Sequence, residues 1–448
     1  MFSFFKKDKN KLPSIFDIPG PKGKFLIGDA MRFDEDPVGW MLETKPEFGD
    51  MVRLDSETVV IHDAGLIEKV CSETNEDYIL DNAMTAGKHG RKKLIDGIAE
   101  WMQSRKYLGK ALNRHVLTQH IGRAGVSLER EVDKRSDQEQ DLFDASQNLL
   151  GCAVADFVVG ADPEFKRIFD AVEEVFWASL NVTDSEETRL PWMPRPIAKR
   201  AERLNKELVE LLHQVVKRRL AEYPRNEAPR DALDQLIEGM HDAPEEQLVA
   251  AVRLMMVTAH GPSGSIFSWC LLRLAEHPEY IEKIREEMDR DAKDILIPSK
   301  FPNTHAFLKE TMRMHPSNWL MGRTAQRDTM LGGYLIPEDC RILFSPFVLH
   351  RDERYWDRPE EFDPERWLTG KAPHKENAYI PFGSGPRICP GALLGPIQLM
   401  LGLRALLSRY ELILPPLETA LPMHSTLLRP DNVKCRWVLR ENLQKQAV

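Results

Sequence analysis

Between Leu254 and Leu272 the chain runs for nineteen residues without a formally charged side chain. A segment like this belongs either in a lipid bilayer or in the middle of a large folded interior. Its centre settles the choice. Thr258, Ala259, His260, Gly261, Pro262, Ser263, Gly264 and Ser265 are too polar together for hydrocarbon. The segment therefore reads as a helix with no solvent face, and the rest of the chain must supply the mass that wraps it. With 448 residues, 42% hydrophobic and 29% charged, it has enough.

The remaining pattern agrees with a helical interior. Apolar residues recur at helical spacing near 101–122, 137–158, 164–180, 198–222, 231–241, 245–276, 278–290 and 303–314. Met51–Ile61 alternates as a strand pair with a turn near Ser56. Residues 318–370 turn rich in Pro, Gly, Asp and aromatics, with short strand-like pieces such as Arg341–Phe344. A last helix follows Pro390 and runs to about residue 409. The expectation is a mainly α protein with small β-sheets. No linker divides it, so residues 1–448 read as a single catalytic domain, with 1–25 a stiff Pro/Gly-rich leading segment.

Composition excludes several functions. The net charge is −9, from 61 basic and 70 acidic residues, which argues against nucleic acid as a partner. The six cysteines are scattered without a CxxC pair or zinc spacing, which suits buried thiols in a reducing, cytoplasmic setting. The opening MFSFFKKDKNK lacks an apolar core and a cleavage site, so no signal peptide and no integral membrane segment are expected.

The chemistry concentrates in Pro381–Gly391, which reads PFGSGPRICPG. Gly383 and Gly385 open backbone angles closed to other residues. Pro386 and Pro390 stiffen the loop, and Pro390 favours the first position of a helix. Cys389 thus stands where backbone N–H groups and the helix dipole stabilise a thiolate. Such a sulfur serves as a nucleophile or as a metal ligand.

Phe382, Gly385, Arg387, Cys389 and Gly391 fit FxxGxRxCxG position for position. This resembles the haem-binding loop of the cytochrome P-450 family. The resemblance implies the large helical fold of that family, a heme b cofactor (iron protoporphyrin IX), and Cys389 as the axial thiolate that favours O–O cleavage. It implies Arg387 paired with a haem propionate and Phe382 packed beside the porphyrin. Three further segments fall in the family's order. Glu310 and Arg313 in LKETMRMHP, with Arg366 in FDPERW, are similar to its buried ion-pair triad; alone, an i,i+3 pair is most often a solvated salt bridge. Trp101 and Arg105 fit its WxxxR, implying propionate binding, and Arg323 in GRTAQRD stands where it places a further propionate-binding arginine. Gly383-Ser-Gly385 starts like a dinucleotide fingerprint but continues to Ile388. With no nucleotide site, electrons are expected from a separate ferredoxin with its reductase or from a flavoprotein reductase.

One departure stands out. The SIFSWCLLRLAEHP end of the uncharged helix sets a register that puts the family's acid and alcohol at Gly261 and Pro262. Neither carries a proton, and Pro262 lacks an N–H and should kink the helix. Proton delivery then falls to Ser263, His260, ordered water or a substrate hydroxyl. A serine there often bonds back to its own helix, and a lone histidine is often a satisfied core residue. Three reaction outcomes stay open, in this order: monooxygenation of a small, largely apolar molecule; peroxide-driven oxidation; and coupling, cyclisation or rearrangement. A non-catalytic helper with the same fold is the rival, opposed by the retained cysteine and arginines. The expected substrate roof comprises residues 80–98, Phe176–Trp177 and Trp192–Met193, with Trp319, Leu320 and Met321 as a wall.

Overall fold

Val59, Val60 and Ile61 are β-branched, consecutive and fully buried, a run suited to an interior strand. They belong to a computed structural model that describes residues 12–23, 29–81, 105, 109, 112, 114–186 and 195–441. Its chain sorts into two units.

The first unit draws on residues 1–86, 319–361 and 372–389. Its sheet has five strands in the order Met51–Arg53, Thr58–Ile61, Arg341–Phe344, Met321–Ala325, Tyr78–Asp81. Thr58–Ile61 and Arg341–Phe344 run parallel and the other pairs antiparallel. The Met51–Ile61 alternation is thus a strand pair, as its spacing predicts. Gly332 and Gly333, both at positive φ, turn a hairpin between Thr329–Leu331 and Tyr334–Ile336. The two longer helices of this unit are α1 (Pro37–Phe48) and α2 (Ala64–Ser72). The Asp63 side chain caps α2 by accepting from the Leu66 N–H.

The second unit is the helical one, built from 87–318, 362–371 and 390–448. Its long helices are α3 (Arg114–Lys134), α4 (Leu142–Val159), α5 (Phe165–Glu186), α6 (Pro196–Ala221), α7 (Glu245–Glu276), α8 (Pro278–Met288), α9 (Pro302–Met314) and α10 (Leu394–Leu407). The uncharged segment lies inside α7, as its composition requires. The helix is continuous through Pro262. The expectation of a helix from 137 shortens to Leu142, because Gln140–Asp141 pairs with Lys434–Cys435 and Asp141 caps α4 at the Phe143 and Asp144 N–H groups. Leu142–Val159 is long and apolar enough to cross a membrane, yet 94% of it is buried inside the protein.

At the base of α9 one carboxylate gathers the donors around it. Glu310 accepts from Arg313 Nε at 2.9 Å and Nη2 at 2.8 Å, from Arg366 Nε at 3.1 Å, from the Trp367 indole at 2.8 Å and from the Asp363 N–H at 2.9 Å. Glu310 and Arg313 are fully buried and Arg366 is 8% exposed, so this is no solvated surface pair. Arg366 and Trp367 sit on a short 3₁₀ turn, Pro364–Trp367, capped by Asp363. Removing one partner of a buried, hydrogen-bonded pair strands the other charge and costs about 3–5 kcal/mol. Glu310→Ala should therefore lower the unfolding free energy in urea titration by about that amount, and Trp367→Phe by about 1–2 kcal/mol.

Candidate functional site

The cysteine loop lies in the first unit. Gly385 has φ +70°, and a Cβ built on it would stand 2.1 Å from the Cys71 carbonyl oxygen at the end of α2. Only glycine permits both the angle and that approach. Gly383 has φ +74°. The Ile388 N–H donates to the Gly385 carbonyl at 3.0 Å, and the Cys389 N–H to the Phe382 carbonyl at 2.8 Å. These bonds close the loop on itself and fix the residue that carries the sulfur. The helix that follows begins differently from the sequence expectation. Pro390–Ala392 is a 3₁₀ turn, and α10 starts only at Leu394.

Of six cysteines, Cys389 alone is exposed. Burial pushes the thiols of Cys152, Cys340 and Cys435 up to about 12, and those of Cys71 and Cys270 upward as well. Those five are held as neutral thiols, and the loop cysteine is the sulfur a metal can reach.

The structure brings two of the expected cofactor-binding arginines to one turn. Arg323 is 4% exposed and donates from Nε to Thr74 Oγ1 at 2.9 Å and from Nη1 to the Gly322 carbonyl at 2.8 Å. Arg387 is 7% exposed and donates from Nε to Asn75 Oδ1 at 2.8 Å. Thr74 and Asn75 follow α2 directly, with Asn75 at φ +84°. This turn was not evident from the motifs. Its acceptors are neutral, so these bonds position the guanidinium groups without cancelling their charge. Arg105 is half-buried on the second unit. Trp101 lies outside the described residues, as do 82–98, Trp192 and Met193. Trp319 is buried, whereas Leu320 and Met321 are half-buried.

In the second unit α7 divides the four oxygen-side candidates between two faces. Met255, Thr258, Ala259, Pro262 and Ser263 fall on one side at helical spacing, and each is exposed or half-buried. His260 and Gly261 are buried on the other side. A Cβ at Gly261 would meet Phe176 Cε2 at 2.4 Å and Leu427 Cδ1 at 2.7 Å. Phe176 therefore belongs to a core cluster with Phe143, Leu180 and Leu427, against which Trp177 packs. The space where the resembling family carries an acid is filled by an aromatic ring. The Pro262 ring leaves the Thr258 carbonyl without its helical N–H donor. Thr258 Oγ1 donates to the Leu254 carbonyl at 2.6 Å and so stands beside that gap.

The His260 ring faces Phe176 edge-on, with centroids 5.3 Å apart, and lies 6.0 Å from Phe169. Burial alone pulls its pKa down to about 3. The ring is neutral at physiological pH. The unfolded chain takes a proton on this histidine near 6.5, and the folded chain refuses it until about 3. Folding stability therefore falls as pH drops between those values, by up to about 5 kcal/mol at the lower end. His260→Phe should shift the acid-unfolding midpoint, followed by circular dichroism, to lower pH. Gly261→Ala should overpack the Phe176–Leu427 contact and cost about 1–3 kcal/mol in thermal unfolding, with partial recovery in Gly261→Ala/Phe176→Leu.

The profile of the family described as Cytochrome P450 matches residues 18–436. Among curated proteins the chain is 24% identical to ferruginol synthase of Salvia fruticosa, over 87% of this chain and 86% of that protein. It is 24% identical to (S)-N-methylcoclaurine 3'-hydroxylase isozyme 1 of Papaver somniferum, over 88% of each. A sterol 14alpha-demethylase of Mycolicibacterium vanbaalenii is 29% identical over 52% of this chain and 56% of its own. Among solved structures, retinoic acid bound cyanobacterial CYP120A1 superposes with a TM-score of 0.74 at 19% identity, covering 96% of this chain and 100% of that one.

Proposed function

The chain belongs to the cytochrome P450 family of haem monooxygenases, and from that premise we propose that it hydroxylates a small, largely apolar organic molecule with O2, using electrons from a ferredoxin system or a flavoprotein reductase. The observation that carries this reading is Cys389, the one exposed cysteine, held in a loop closed by its own backbone bonds and pressed by Gly385 against the end of α2. The residues present suit heme b: a thiol donor for iron, an aromatic ring at Phe382, and two buried guanidinium groups matched to the carboxylates of a porphyrin. When bound, haem supplies the iron that activates dioxygen.

The protein's own residues do the rest. Cys389 would hold the haem iron through its thiolate. Arg323 and Arg387, positioned by Thr74 and Asn75, would hold the propionates, and the family resemblance assigns Arg105 and Trp101 to the same task. Ser263 and Thr258 bring hydroxyls to the open face of α7, whereas His260 and Gly261 face away from it. Their roles are therefore different. The open-face hydroxyls handle polar atoms of substrate or water, and His260 acts only from behind the helix. The names of relatives, a ferruginol synthase and a coclaurine 3'-hydroxylase, support oxidation of a small organic molecule, with hydroxylation printed in the second name. A cytoplasmic setting fits the five buried free thiols.

The reduced protein should show the thiolate-type band in its carbon monoxide difference spectrum, and Cys389→Ala should lose that band. Product should form with NAD(P)H and a surrogate reductase at a rate at least tenfold above that with hydrogen peroxide alone. Haem binding without product under any of these conditions would leave the helper reading standing instead.

A further inference from the structure

The densest part of the second unit is the contact of α4 with α7, and its packing is reciprocal. A Cβ on Gly151 of α4 would fall 2.1 Å from His260 Cε1, and a Cβ on Gly264 of α7 would fall 2.7 Å from the Gln147 Cα. Each helix thus offers a glycine notch to a large polar side chain of the other. Gln147 and Gly151 are one turn apart, as are His260 and Gly264, so the two side chains stand diagonally across the same seam.

Both side chains are cut off from solvent. Gln147 is 0% exposed and His260 is 1% exposed. Neither amide atom of Gln147 and neither ring nitrogen of His260 has a hydrogen-bond partner in the protein, nor does the neighbouring Ser146 hydroxyl, 2% exposed. Each such atom left unsatisfied costs about 1–3 kcal/mol, so a seam carrying all of them is untenable without a polar ligand. One helical turn is about 6 Å, and a water molecule accepting and donating at about 2.8 Å bridges nearly that span. A neutral imidazole offers one donor and one acceptor, and an amide offers both. Water is the ligand whose chemistry fits.

We propose that Gln147 and His260 bind ordered water in the α4–α7 seam and that this buried hydration site supplies protons to the open face of α7. The transfer clause rests on the proposed monooxygenase reading; the hydration site does not. His260 is followed by Gly261, which has no side chain, and Pro262, whose missing N–H leaves the Thr258 carbonyl free to accept from water at the helix surface of that turn. The helix is thinnest and its hydrogen-bond ladder is broken at that one turn. A proton passing along the chain breaks one O–H bond of a water as another forms on the same oxygen, so Gln147 and His260 keep their charge. Both are positioning residues, since they act through the water they hold.

The test uses the full-length haem protein. First, a crystal structure of the wild type at high resolution should show water within hydrogen-bond distance of the Gln147 amide and a His260 ring nitrogen; a dry seam overturns the proposal without reference to activity. Second, Gln147→Leu and His260→Phe, each checked for the carbon monoxide band, should lower product formed per NAD(P)H consumed at least threefold and enlarge the solvent deuterium isotope effect, with KM unchanged. The milder Gln147→Asn and His260→Asn should keep most of the coupling. Unchanged coupling and isotope effect in the apolar variants overturn the proton role. A wild type without the carbon monoxide band sinks the monooxygenase reading instead, leaving the crystallographic test of the water site intact.

Discussion

A helix without a charged residue over nineteen positions has little to give to water, and the helical unit answers that demand by burying its Gly264–Leu272 half completely while one face of the preceding half stays open. α4 answers it most directly. It is itself buried almost end to end, and it meets α7 through paired glycine notches that let two helix axes come close. Ser265 and the Trp269 indole both donate to the Leu428 carbonyl, at 2.6 and 3.0 Å, so a strand end covers another side. Trp269 then stacks flat on His315 beyond α9, with centroids 4.2 Å apart. An apolar helix attracts neighbours without direction; the glycines and these hydrogen bonds give the attraction its geometry.

Where the helical unit buries charge most deeply, it surrounds it with opposite charge and hydrogen bonds. The Glu310 carboxylate is met by two arginines, an indole and a backbone N–H. Arg219, 2% exposed, is met by Asp231 and Asp234. Desolvation of a charge is offset only by such complete sets of hydrogen bonds, and they fix loops that have little apolar surface of their own. The α4–α7 seam differs, because its polar groups are neutral and face one another across glycine. A neutral group left without a protein partner can recruit water; a buried ion in the same position would change its protonation instead.

The sulfur-bearing loop of the first unit is rigid, and in the second unit one face of α7 is open. The Phe382–Cys389 loop is closed by its own backbone and pressed against α2 so tightly that Gly385 admits no side chain. The face of α7 that bears Thr258, Pro262 and Ser263 stays accessible.

Several parts of this protein were legible in its residues alone. The cysteine loop is local, and its glycines and prolines dictate its turns wherever the rest of the chain goes. Glu310 and Arg313 share a helix face, so their pairing follows from spacing. The strand pair at Met51–Ile61 and the buried character of α7 follow from period and charge. Other parts required the tertiary structure. Sequence could group His260 with Ser263, three residues apart on one helix; only packing shows that the first is buried and the second half-exposed. Gln147 gave no signal, because one amide in an apolar helix reads as a tolerated exception until its neighbours are known. That Phe176, expected in the substrate roof, also packs into the notch at Gly261 could not be read from spacing. The reason is common to all three. Local geometry is written in adjacent residues, whereas which face of a helix is buried, and against what, is set by side chains a hundred positions away.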